Sequence, residues 1–210
     1  MAEDGFVVHF PDERRWGLGI SAFEIGSAFL RHDPLQRLAQ PILGRVMRRL
    51  PANLPAVAHC SVLHGRESFY IARSSSVRAL SIVAEVGVRL PASLTASGRS
   101  MLCVLPASQI RALFPDGSAF IDRTGNGPTS LTALSRILAV ERRQGFSVED
   151  GMVTPGFLTI AKSSIDRWER PAASVGITVK SEEFSATTRE LLVSAVTRAA
   201  LDLSHQLGPR

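Results

Sequence analysis

The stretch Ala92 to Ser100, ASLTASGRS, sets small and hydroxylated side chains immediately ahead of an apolar run that ends at Leu105-Pro106. Their types suit binding chemistry. Thr95 is a good helix N-cap. The residues after it, Ala96, Ser97 and Gly98, are small enough to let a ligand approach backbone N–H groups. In the first turn of a helix those groups lack partners and lie at the positive end of the dipole. A second reading of the same residues is a capped helix packed tightly on a neighbour. Catalysis fits poorly. TASGRS is not the G-x-S-x-G elbow that exposes a nucleophilic serine, and no histidine is placed by sequence to activate Ser97 or Ser100.

The other reactive side chains are scattered. His59 and Cys60 are adjacent on a strand-like run and so point to opposite faces, a poor metal pair. The two cysteines, Cys60 and Cys103, are far apart and form no CxxC motif, which argues against a disulfide or zinc framework and suits a reducing cytoplasm. A redox role would need a resolving partner that neither cysteine has in view. No cofactor motif is present. The net charge of +5 is a mild hint of an anionic partner. With 45% apolar and 20% charged residues over 210 positions, the chain can bury a core. No basic-then-apolar leader opens it, and no run approaches the roughly 20 apolar residues of a membrane span.

The elements that must position these residues are legible in outline. Residues 5–18 read as a hairpin around the charged turn Pro11–Arg15. Residues 19–31 read as a largely apolar helix. Its side chains cover more of the circumference than one core face needs, so a homodimer or homotetramer is expected. Asp33-Pro34 starts a second helix, striped by Leu35, Leu38, Ile42, Val46 and Leu50, which Pro41 should bend or interrupt. Strands follow at 56–63, 67–73 and 78–88, the first pair joined at His64-Gly65. After the short helix that Thr95 caps come a helical piece at 107–114, a loop over 117–128, and a helix from Thr129 or Ser130 to Gln144. Strands at 157–163 and 172–180 precede a final helix over about 185–207. Helices around a mostly antiparallel sheet make this an α+β domain.

In order and spacing these pieces resemble the IclR-type bacterial transcriptional regulators. That family joins an N-terminal winged helix-turn-helix to a GAF-like effector-binding domain. The carriers are RRWGLGISAFEIGSAFLR, GVRLPASLTASGRSMLCVLP, RRQGFSVEDGMVTPGFLTIA and RPAASVGITV. The resemblance implies a wing hairpin and linker helix over 1–31 and an effector-binding domain over 32–210. It implies a cytoplasmic ligand sensor and not an enzyme. The alternative is a stand-alone GAF-like ligand-binding or small enzyme domain. DNA would be read only through winged-helix elements expected ahead of the hairpin, with Arg14 and Arg15 at its tip able to touch phosphate.

The resemblance also implies a pocket. Thr95, Ala96, Ser97 and Gly98 would border a small carboxylate effector, with N–H groups near 96–98 receiving its oxyanion. Glu149 would take the acidic position, where it can accept from a hydroxyl or share a proton with an acid. Thr159 stands where many members have cysteine. Gly176 and Thr178 share one strand face, and the first has lost the hydroxyl that the family places there. Ile82 would form an apolar wall. These departures mean that the effector's identity does not carry over.

Overall fold

The computed structural model describes residues 1–32, 34–76 and 85–208, with the backbone alone for 29–32. Its contacts divide the chain into two compact units, Met1–Leu38 and Ala39–Arg210.

In the first unit, β1 (Val7–Phe10) and β2 (Arg15–Leu18) form the expected antiparallel hairpin, with Val7 opposite Leu18 and Phe10 opposite Arg15. Arg14 turns the chain with φ 50°. Helix α1 (Ile20–His32) follows, its N-terminal end tied back where Gly19 N–H donates to Phe6 O and Ser21 Oγ to Asp4 O. Helix α2 (Pro34–Arg49), which runs from the first unit into the second, begins at the expected proline and continues unbroken through Pro41, where a bend or interruption was expected. Pro41 is exposed, while Ala39, Ile42, Leu43 and Val46 are buried on the inner stripe. Burial of that stripe offsets the lost N–H bond. The cap expected at Asp33 lies outside the described residues.

The second unit is built on an antiparallel six-stranded sheet of order β5-β4-β3-β8-β7-β6. Its strands are β3 (Ala56–His64), β4 (Glu67–Ser75), β5 (Arg89–Pro91), β6 (Ser147–Asp150), β7 (Phe157–Ile165) and β8 (Pro171–Lys180). Most of the strand expected at 78–88 lies outside the described residues; 85–88 form a turn leading into β5. Strand β6 was not expected at all. Four residues are too few for a visible alternation of apolar and polar side chains, yet β6 pairs along β7 with Glu149 opposite Thr159.

The helices of this unit are α3 (Ala96–Leu102), α4 (Ala107–Leu113), α5 (Leu131–Gln144) and α6 (Ala186–Leu207). Capping is as local chemistry dictates. Thr95 Oγ1 accepts from Gly98 N–H at 3.0 Å, Ser130 Oγ from Ala133 N–H, and Ser185 Oγ from Thr188 N–H; Gly145 ends α5. Every residue of β8 from Ala173 to Val179 is buried, so both of its faces are covered. Ser100 on α3 meets Ser174 at 2.8 Å, which puts α3 over the face of Ser174, Gly176 and Thr178. Helix α6, which also packs along β7 and β8, covers the other face. Ala92, Leu102, Ile110, Phe114, Leu134 and Leu138 join α3, α4 and α5 in one apolar cluster. Among the described residues no helix is long and apolar enough to cross a membrane.

Candidate functional site

A row of polar side chains crosses the sheet under the start of α3. The β6–β7 register sets Glu149 opposite Thr159, and the β7–β8 register sets Thr159 opposite Thr178. Alternation then puts all three on the face that α3 covers. Thr159 and Thr178 are hydrogen-bonded through their hydroxyls at 2.8 Å. With Thr95 and Ala96 above them, and Tyr70 and Leu90 from β4 and β5 beside them, these residues line a cleft; Val153, Thr154 and Phe157 complete it. The cleft contains about 400 Å³ of empty space counted out to its mouth. In about 40 Å³ of that space a water molecule's centre can move freely. It is a narrow site.

Its electrostatics centre on Glu149. Burial raises the carboxyl above the ordinary glutamate pKa. Hydrogen bonds from Val153 and Met152 N–H, the nearby Arg99 guanidinium and the Thr159 hydroxyl pull the other way without overcoming it. Met152 N–H donates to Glu149 Oε1 at 2.7 Å and Val153 N–H at 3.0 Å, so the carboxyl also shapes the loop after β6. Burial and the same carboxylate raise the Tyr70 phenol, which stays protonated. Ala96 and Ser97, the first two residues of α3, have no backbone acceptor for their N–H groups among the described residues.

Thr95, Ala96, Glu149, Thr159 and Thr178 are thus brought together, and Ser97, Gly98 and Gly176 do not line the cleft. The Gly98 N–H, expected to meet a ligand, is instead donated to Thr95 Oγ1. The missing side chain of Gly98 is also accounted for: a Cβ there would run into Cα and O of Ala92. The glycine serves packing within the turn, the second of the two readings that the sequence left open. Gly176 is spoken for in the same way, because a Cβ would strike the His59 ring and lie 3.0 Å from Ser97 Oγ. Ile82 lies outside the described residues. Arg14 and Arg15 are exposed at the hairpin tip of the first unit.

Sequence reasoning missed Tyr70, whose strand position gave no hint of which face would meet α3. It also missed Arg99, which is wholly buried. Arg99 Nε pairs with Glu141 at 3.0 Å, Nη1 donates to Ser93 O and Leu94 O, and Nη2 donates to Val148 O. Glu141 in turn accepts from Ser147 Oγ and Val148 N–H. This network ties the turn before α3 to α5 and β6, and so holds two walls of the cleft together. An Arg and a Glu forty-two residues apart carry no sequence signal for such a pair.

The catalytic alternatives find little support here. Ser97 Oγ is fully buried and lacks any hydrogen-bond partner among the described residues. Ser100 Oγ is bonded to Ser97 O and Ser174 Oγ. Burial, with the Glu141 charge second, pushes the Cys103 thiol up to about 12, far from the thiolate that redox or nucleophilic chemistry requires.

Comparison with known proteins bears on the whole chain. The family model described as bacterial transcriptional regulator IclR C-terminal matches residues 27–205. The Pca regulon regulatory protein of Pseudomonas putida is 32% identical over 203 residues, spanning 93% of this chain and 66% of that regulator. The glycerol operon regulatory protein of Streptomyces coelicolor is 27% identical over 99% of this chain and 80% of its own length. Among solved structures, the Thermotoga maritima IclR superposes with a TM-score of 0.81 at 24% identity, covering 99% of this chain and 82% of that one. An IclR homologue from Microbacterium hydrocarbonoxydans complexed with 4-hydroxybenzoate gives 0.72 at 24% identity, over 97% of this chain and 81% of its own. At these identities the structural likenesses establish the fold.

Proposed function

Because the chain belongs to the IclR family of bacterial transcriptional regulators, we propose that residues 32–210 sense a small carboxylate and that residues 1–31 pass its occupancy toward DNA. One observation carries this reading. Three strands and the start of α3, scattered over the sequence from Thr95 to Thr178, deliver Thr95, Ala96, Glu149, Thr159 and Thr178 to a single cleft. Such convergence of a few polar groups beside apolar walls is what orients a small ligand. The N–H groups at the start of α3 suit an oxyanion, and the carboxyl and hydroxyls suit a second oxygen function.

The 4-hydroxybenzoate held by a homologue supports the choice of a small carboxylate. The cleft is narrow, and it is proposed to exist in closed and more open arrangements. A ligand that favours the open arrangement shifts the population toward it, and that shift is the signal. We assign no catalytic step to the site and no cofactor. Arg14 and Arg15 are proposed to contribute salt-sensitive phosphate contacts only. The sensor is proposed to work in the cytoplasm, as a homodimer or homotetramer.

The test is a thermal-shift and calorimetric screen of small carboxylates, 4-hydroxybenzoate included. At least one should raise the unfolding temperature. Glu149→Gln and Thr178→Val should each weaken it by roughly 1.5–3 kcal/mol, about ten- to a hundredfold. If both folded variants bind as tightly as the unaltered chain, the ligand sits elsewhere.

A further inference from the structure

Away from the cleft, a second hollow opens between α2 and α6, wholly within the second unit. Each helix lines it with two neighbouring rows whose members are one turn apart. Ile42, Val46 and Leu50, the last just past the end of α2, form one apolar row; Leu191, Ala195 and Ala199 on α6 form the other. Beside these run Arg45 and Arg49 on α2, and Arg198 and Asp202 on α6. Ile42, Val46, Leu50 and Ala199 are buried, whereas Arg49 and Arg198 are exposed. The hollow therefore has an apolar floor and a charged rim. Its empty space, counted out to the mouth, is about 510 Å³, within the usual range for small-molecule sites.

The charges at the rim do not cancel. Arg45 pairs with Asp202 across the hollow at 3.7 Å. Arg49 and Arg198 have no ion-pair partner among the described residues. Three arginines thus line the hollow against one aspartate, an excess of two positive charges. A purely apolar molecule would leave these guanidinium groups unused, and an inorganic anion would leave the floor in water. A hydrocarbon chain with an anionic head satisfies both. Guanidinium groups suit a carboxylate head, whose two oxygens match their paired N–H donors.

We propose that the hollow between α2 and α6 is a second binding site, separate from the cleft, for a medium-chain aliphatic carboxylate. The tail lies along the two apolar rows, and Arg49 and Arg198 meet the head. The site stands whether or not the cleft is the sensing site, because the two share no residue.

Calorimetry on the full chain compares octanoate, hexanoate and octylammonium, all below micelle-forming concentrations. Octanoate should bind, and hexanoate about tenfold more weakly, since each methylene withdrawn from water is worth up to about fourfold. Octylammonium, with the same tail and the opposite charge, should bind at least about tenfold more weakly than octanoate. Arg49→Gln combined with Arg198→Gln, both at exposed positions, should weaken octanoate by about five- to tenfold. Methyl NMR of the chain labelled at isoleucine, leucine and valine then reads the location. The Ile42, Val46 and Leu191 signals should shift along the same saturation curve as the heat. Ala195→Phe, which fills the hollow, should abolish both readouts; if it does not fold, the arginine pair and the NMR map still decide. Absence of octanoate binding, equal binding of octylammonium, or shifts confined to Leu90 and Val153 in the cleft or to Leu18 and Ile20 in the first unit overturns the proposal.

Discussion

Glu149, proposed to meet the ligand, also serves the fold. Its pKa is raised chiefly by burial, so the folded chain keeps this proton to higher pH than the unfolded chain does. The associated stability is fully present below the ordinary glutamate pKa of about 4.3 and is lost as pH rises through the raised value. Glutamine cannot ionise, and its Oε1 can still accept from Met152 and Val153 N–H. Glu149→Gln should therefore be at least as stable as the unaltered chain at pH 7, with the difference narrowing as the buffer is taken down toward pH 4. Melting temperatures across that range check the sign; marked destabilisation at pH 7 would mean that the loop needs the ionised carboxylate. Arg99 and Glu141 make the opposite case, a fully buried ion pair. Glu141→Ala leaves a buried guanidinium without its counter-charge and should cost about 3–5 kcal/mol in chemical denaturation. Arg99→Met should cost a similar amount, because it strips donors from the carbonyls of Ser93, Leu94 and Val148 as well.

The turn and helix around Thr95 act as a unit in which the cap and the close approach depend on one another. Thr95 can cap only because α3 begins where the chain folds back on Ala92, and that approach requires the bare Cα of Gly98. Gly98→Ala is usually a helix-favouring change. Here the added methyl meets backbone, which cannot rotate away, so we expect a loss of about 1–3 kcal/mol in urea denaturation. A stability gain would show that the turn relaxes. Thr95→Ala should lose about 1 kcal/mol, the usual worth of a cap, and Thr95→Ser should retain most of it. Neither variant of Thr95 tests ligand contact by itself, since the same oxygen holds the helix end.

For the molecule as a whole, the first unit exposes several large apolar side chains close together in sequence. Leu18 is 82% exposed, Ile20 66%, Phe23 69% and Ile25 59%. A patch of this kind is seldom left in water. We expect it to be covered in a homo-oligomer. Multi-angle light scattering should find a dimer or tetramer at micromolar concentration, and Phe23→Asp combined with Ile25→Lys should shift the mass toward the monomer. A monomer in the unaltered chain at those concentrations would refute the assignment. The compact units meet at Leu38 and Ala39, whereas the proposed sensing part begins at residue 32.

The sequence alone determined what is written in local patterns. Strand-like runs marked β3, β4, β7 and β8; Thr95 announced the cap of its helix, and Thr129 or Ser130 that of the next; and the order of these elements carried the IclR-type resemblance and the α+β class. These signals are readable because each depends on residues within a few positions of one another. Tertiary structure decided everything that depends on register between distant strands. It placed the short β6 beside β7, turning Glu149 from a loop acid into the buried neighbour of Thr159. It gave the smallness of Gly98 to Ala92 and the emptiness of Gly176 to the imidazole of His59. A glycine's spacing cannot say whether a ligand or another part of the chain will occupy the space it leaves, because that depends on which surface the fold brings against it.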